Sequence, residues 1–297
     1  MPAPGPFPPG SCRANRHSQT LRYSNCRRPS CAAHCAQLTL SSALTLEHLE
    51  SAFYVEGFAK FPAADFLALG LSQATVDGLV AVGKTEATHV TVLSSVLKSL
   101  GVAPVPPCTY NFGLTTAASM LATARVLEAV GVAAYLGAAP LVTDKAVLAA
   151  AGSIVTVEAR HQTLLRAALG AAPVPQAFDP AIGARQIFTL AAGFITACPK
   201  EANLGIVALQ PLNVLDAGSI RAGSKLKMVV PGADTGLSCS FTGGDSGLVF
   251  SKFVDGGCTV PQGLGGEVFL TVTSEAEGTK VLDDAKVVAG PAVLVLS

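Results

Sequence analysis

Four apolar, helix-like segments of this chain carry glutamates in two alternating patterns, and no other feature constrains the fold as tightly. In chain order, Glu47 is followed seven residues on by Tyr54, Glu86 three on by His89, Glu128 by Tyr135, and Glu158 by His161. Residues three apart on an α-helix share a face, so each Glu-x-x-His pair can hold one ion without breaking its helix. Four carboxylates and two imidazoles projecting into a bundle form the ligand set of a carboxylate-bridged pair of metal ions. Between Gly57 and Lys200 there are only three glutamates and two histidines, and all five belong to this pattern. A decorated surface would scatter them.

The apolar periodicity predicts helices over about 36–60, 72–100, 115–139 and 144–170, with a short helical connection at 63–70. Ser72 is a good N-cap, Thr143 or Asp144 caps the fourth segment, and Asp179-Pro180 is a start signal for a fifth helix reaching about 197. The ligand order repeats in two helix pairs, which predicts a pseudo-twofold bundle with an ion pair on its axis. Hard carboxylates with one imidazole per ion suit two iron or manganese ions better than copper or a thiolate zinc site. Four buried glutamates would be costly without cations, and two divalent ions offset them. Candidate metal-binding residues are therefore Glu47, Glu86, His89, Glu128, Glu158 and His161. Tyr54 and Tyr135 are candidate catalytic residues, placed two turns after their glutamates so that their hydroxyls can donate to the site. Near Glu47, His48 points about 100° away and reads as non-ligating. Glu50 lies on the same side as Glu47 and is its possible substitute, although the match to Glu128 and Tyr135 favours Glu47.

Composition narrows the partners. Half of the 297 residues are hydrophobic, 13% are charged, and the net charge is zero, which argues against nucleic acid. No run reaches 18 uninterrupted apolar residues, so no membrane span is expected. Residues 1–35 are proline-, arginine- and cysteine-rich without periodicity and read as a disordered tail, a transit-like extension or a misassigned start; no signal-peptide apolar core is visible. Cys12, Cys26, Cys31 and Cys35 in that stretch match no zinc template and read as free thiols. The pairs Cys108–Cys198 and Cys239–Cys258 would suit an oxidising compartment, and the sequence leaves their connectivity open.

After Cys198 the pattern changes. The stretches 226–230, 248–253, 267–273 and 292–296 are short, rich in valine and phenylalanine, and separated by Gly, Asp and Pro. They predict a small antiparallel sandwich-like β domain over 201–297, following a helical domain over 36–200.

The stretches ALTLEHLESAFYVEGF, KTEATHV, CTYNF, LEAVGVAAYLGAAP, VEARHQTLLRAALG and FITACP resemble the ferritin-like domain of fungal stress-response and plant desiccation-related proteins. The resemblance covers roughly 36–200 and extends to the tail ending in VAGPAVLVLS. It implies a mainly α fold: a ferritin-like four-helix bundle with a fifth helix, followed by the β region. It also implies an extracellular or wall-associated protein of the stress response, although family members usually begin with a secretion signal. Two functions follow as expectations. One is a di-metal protein that oxidises metal or consumes dioxygen or peroxide; the other is a non-enzymatic stress protein that binds metal or protects structures during drying. An iron-storage cage is a third reading, which the added β region would obstruct.

Overall fold

A computed structural model describes residues 32–215, 219–230, 232 and 236–296, with side chains from Ala36 onward. Of the tail expected over residues 1–35, residues 1–31 and the thiols of Cys12, Cys26, Cys31 and Cys35 lie outside the described residues, whereas 32–35 form the first turn of the first helix. Four long helices form the bundle: α1 (Ala32–Lys60), α3 (Gln73–Ser99), α4 (Ala117–Ala138) and α5 (Lys145–Ala168), with the short α2 (Ala63–Ala68) after α1. Their starts are fixed locally. The Ser72 hydroxyl accepts from Thr75 N at 3.1 Å, Thr116 and Ser119 form a reciprocal capping box, and Asp144 Oδ1 accepts from Ala146 N and Val147 N, both at 2.9 Å. Each cap satisfies amide groups that the first helical turn leaves unpaired.

Two apolar clusters fill the bundle and leave a polar layer between them. Leu40 and Leu44 of α1 pack with Leu93 and Leu97 of α3 and Val147 and Ile154 of α5 at one end. At the other end Phe53 meets Val76, Leu79, Met120, Leu121 and Leu165. Tracing the helices between these clusters gives the directions: α1 and α5 run one way, α3 and α4 the other. The link from α3 to α4 is therefore a crossover that spans the bundle, the one long connection typical of this class of bundle. Within the crossover, Thr109–Tyr110 (β1) pairs antiparallel with Ile195–Ala197 (β2), and the Cys108–Cys198 disulfide, with Cα atoms 4.3 Å apart, closes the same junction. With its 3-10 extension, α4 is long and apolar enough to cross a membrane by length and composition. Its most apolar window is 61% buried against its neighbours, and Glu128 sits in mid-helix. It packs against α1, α5 and the later helix of residues 184–192.

One sequence expectation fails at the fifth helix. Asp179-Pro180 does not open it; α6 runs from Ala184 to Ala192 with Gly183 at its N-cap, and residues 195–197 are strand. The chain before α6 is pinned elsewhere: Ile182 is buried, its N–H donates to Ala133 O, and its carbonyl lies against Gly137 so closely that a Cβ there would come within 2.0 Å. Packing on α4 overrides the local start signal.

Beyond α6, two sheets enclose one apolar core. A three-stranded sheet has the order β3 (Asn213–Val214), β4 (Lys225–Val229), β7 (Gly257–Thr259). A four-stranded sheet has the order β6 (Gly247–Lys252), β5 (Ser238–Gly243), β8 (Gly266–Thr273), β9 (Val287–Leu296), antiparallel throughout. The Cys239–Cys258 disulfide, with Cα atoms 6.3 Å apart, joins β5 of one sheet to β7 of the other. Strand β8 is buried along its whole length because both its faces are covered. Val268, Leu270 and Val272 point into the sandwich core, whereas Phe269 joins the helical core.

On the helical side of β8, Glu267 receives Arg166 Nη1 at 2.6 Å and 2.5 Å on its two oxygens, and Gln162 Nε2 at 2.8 Å. Arg166 Nε is used as well, donating to Ala172 O at 2.7 Å. Since Gln162 follows His161 directly, this network fixes the turn of α5 that carries the polar layer against the sheet.

Candidate metal centre

The polar layer is built from all four long helices. Glu47 and Glu50 come from α1, Glu86 and His89 from α3, Glu128 from α4, and Glu158 and His161 from α5; all seven are buried. His89 Nδ1 lies 3.2 Å from Glu47 Oε2, 3.2 Å from Glu86 Oε2 and 3.0 Å from Glu158 Oε1. His161 Nδ1 lies 2.8 Å from Glu86 Oε1 and 3.1 Å from Glu128 Oε2. A single ring N–H cannot serve three oxygens from three helices. Ligand atoms at about 2.1 Å from a common ion sit roughly 3 Å from their neighbours, which is the spacing seen here.

Two sets of four ligand atoms result, each within a 4.8 Å span: Glu47, Glu86, His89 and Glu158, and Glu86, Glu128, Glu158 and His161. Glu86 and Glu158 belong to both. Glu86 Oε1 and both oxygens of Glu158 are buried with no hydrogen-bond partner, and Glu86 Oε1 and Glu158 Oε1 each lie close to an imidazole but out of line for a hydrogen bond. A buried polar atom without a partner is costly, and a carboxylate oxygen more so. The donor set, oxygens with one imidazole each, fits a pair of hard or borderline cations.

The tyrosines cross between helices. Tyr54 on α1 donates to Glu128 Oε1 on α4, and Tyr135 on α4 donates to Glu47 Oε1 on α1, both at 2.5 Å. Each hydroxyl occupies the outer oxygen of its carboxylate and turns the other oxygen towards a histidine. His48 stays outside, half-buried, with Nε2 3.1 Å from Val105 O.

Electrostatics record an excess of negative charge. Burial pushes Glu47 up to about 7 and raises Glu50, Glu128 and Glu158 as well. Glu86 goes the other way: burial would raise it, yet the flanking His161 and His89 hold it down at about 2. For the imidazoles, burial favours the neutral form, but the surrounding carboxylates win and push His89 up to about 12 and His161 to about 10. Protons or cations must offset that charge.

The spacing offers Glu50 as a substitute for Glu47, and the structure buries both. Three residues after Glu128, where the first half has Glu50, α4 has Gly131. A Cβ on Gly131 would lie 2.9 Å from Glu158 Oε2 and 3.0 Å from Glu50 Oε1. The missing side chain of one half thus makes room for the fifth carboxyl of the other, and the Glu/Gly mismatch in the repeat was the signal available. Next to the layer, an apolar cavity of about 70 Å³ runs between α1, α4 and α6, bounded by Leu46, Ala134, Tyr135, Gly137, Ile187 and Ala191.

A bundle with one crossover, holding a buried carboxylate and imidazole layer, defines a ferritin-like protein. Residues 37–171 match the family model described as a ferritin-like domain. The chain is similar to protein rds1 of Schizosaccharomyces pombe, with 28% identity over 163 residues. That match takes in 55% of this chain and 40% of the relative, so the chain spans less than half of the relative's length. Among solved structures, a conserved hypothetical protein of Mycobacterium tuberculosis, rv2844, aligns with a TM-score of 0.40 and 20% identity, over 50% of this chain and 99% of that one.

Proposed function

We propose that the polar layer holds two iron or manganese ions and that the protein uses them to turn over dioxygen or peroxide. The observation that carries this reading is the pair of four-atom sets sharing Glu86 and Glu158, three of whose four carboxylate oxygens are buried with no hydrogen-bond partner. Bound ions would supply Lewis acidity and electron exchange at positions the protein leaves open. The chain's own residues do the rest. Glu86 and Glu158 offer oxygens to both positions, Tyr54 and Tyr135 keep Glu128 and Glu47 turned inward, and the apolar clusters above and below exclude water. The apolar lining of the cavity against Tyr135 suits a small apolar molecule such as dioxygen. The two disulfides support a place outside the reducing cytosol, and the resemblance to stress-response proteins supports a role in removing oxidant or oxidising metal.

Metal analysis of the purified full chain, followed by oxygen-electrode and peroxide-consumption assays after loading with iron or with manganese, tests the proposal. Two ions per chain and turnover of one oxidant are expected. Two ions without turnover would leave a metal-holding stress protein, and no bound metal would end the di-metal reading.

A further inference from the structure

The two halves of the metal centre differ in the Glu50/Gly131 pair, and they differ again around the far nitrogens of the histidines. Thr85, one residue before Glu86, places its hydroxyl oxygen 2.9 Å from His161 Nε2. The same hydroxyl lies 2.7 Å from Val82 O and 3.2 Å from Ala81 O on its own helix. With its single proton directed along the helix it accepts from His161, an assignment by hydrogen-bond geometry that places the proton on Nε2. The nitrogen left to bind a cation is Nδ1, which faces Glu86 and Glu128. A metal-bound histidine is usually fixed in this way by a partner on its other nitrogen. In the other half, the residue one before Glu158 is Val157, which has no hydroxyl. His89 bonds only through Nδ1, and Nε2 has no hydrogen-bond partner among the described residues.

We infer that Thr85 is a positioning residue that fixes the His161 tautomer and makes the two metal positions unequal, the His161 position binding first. This rests on the di-metal reading above and adds an order of filling to it. The repeat by itself predicts two equivalent positions. Asymmetry of this kind separates a protein that holds one ion firmly and exchanges the second from one that takes up both together.

The test is a Mn(II) titration of the metal-stripped full chain followed by electron paramagnetic resonance, which distinguishes an isolated ion from a coupled pair. Wild type should show an isolated-ion signal up to one equivalent and the coupled signal only beyond it. T85V should weaken the first site by roughly 10- to 100-fold, the usual cost of removing such a partner, so that pairs and metal-free chains coexist at one equivalent. T85S should restore stepwise filling. V157T should bring the two affinities together from the other side while keeping Thr85 intact, which guards against a T85V variant that folds poorly. A readout independent of affinity is the His161 Nε2–H resonance in 15N-histidine-labelled, Zn(II)-loaded protein: slow to exchange in wild type and T85S, fast or lost in T85V. Unchanged stepwise filling in T85V, or equal weakening of both positions, overturns the inference while leaving the di-metal reading intact. A wild type that binds no Mn(II) and no Zn(II) overturns both.

Discussion

Two clusters of buried charge lie on neighbouring turns of α5, and they are built on opposite principles. Around Glu267, one carboxylate meets the guanidinium of Arg166 on both oxygens, Gln162 supplies a further N–H, and Arg125 Nε stands 3.5 Å away. Every carboxylate oxygen there is matched. One turn back, five glutamates face two histidines, and three oxygens of the shared pair have no partner. Balanced buried charge acts as a staple between helix and sheet. Unbalanced buried charge is stable only when something else brings positive charge, and that distinguishes a site from a joint.

Removing the shared carboxylates should give the largest effect. Glu86→Ala combined with Glu158→Ala should reduce bound Mn(II) or Fe(II) from two per chain to none, with helical circular dichroism retained because the apolar clusters are untouched. Stoichiometric metal in this variant would erase the distinction between the two clusters.

Next in size is the staple. Glu267→Ala leaves Arg166 charged and buried, which costs about 3–5 kcal/mol when one partner of a buried pair is removed. Urea unfolding should register that loss while metal stoichiometry stays at two. Replacing both partners with methionine should recover most of the stability, since buried pairs often gain little over apolar packing. A loss below about 1 kcal/mol in the single variant would mean the pair is not what holds α5 to β8.

The pH response should be opposite with and without metal. Groups whose folded-state pKa is raised stabilise the fold below their ordinary pKa and lose that contribution as pH rises through the raised value. For Glu47 the window runs from 4.5 to about 7, for His161 from 6.5 to about 10, and for His89 from 6.5 to about 12. Glu86 is held at about 2, so its contribution is present above 4.5 and lost only as pH falls towards 2. The metal-free protein should therefore melt at lower temperature at pH 8 than at pH 5. Saturating Mn(II) should flatten or reverse that slope, and its affinity should rise with pH because binding displaces protons. Equal slopes with and without metal would show that the layer does not exchange protons for cations.

The smallest effect should come from Glu50, the carboxyl outside both four-atom sets. Burial raises its pKa in company with Glu158 and Glu47. Glu50→Gln should keep two metals and make the metal-free pH slope shallower, read from thermal melts across pH 5 to 8. Loss of one metal would instead make Glu50 a ligand and enlarge the site.

How much of this was legible beforehand depends on the reach of each interaction. The Glu-x-x-His pairs, the Ser72 and Asp144 caps and the amphipathic stripes are set by residues within four positions of each other, so spacing reveals them. Strands β4, β6, β8 and β9 were legible from their Val- and Phe-rich runs. The Ser-Cys-Ser segment of β5 was not, because its strand character comes from pairing with β6 on one side and β8 on the other.

The sequence by itself determined that six side chains recur at helical spacing in two matching halves, which is enough for a bundle with a shared polar layer. Only the tertiary structure decided that Glu50 joins the layer opposite Gly131, that Thr85 reaches His161 across 76 positions, and that Arg166 meets Glu267 across 101. It also decided that Ile182, packed on Gly137, displaces the start promised by Asp179-Pro180. Contacts of that length close loops whose ends carry no local mark. The free energy that selects them comes from burial and charge matching in three dimensions, and these exist only once the helices have packed.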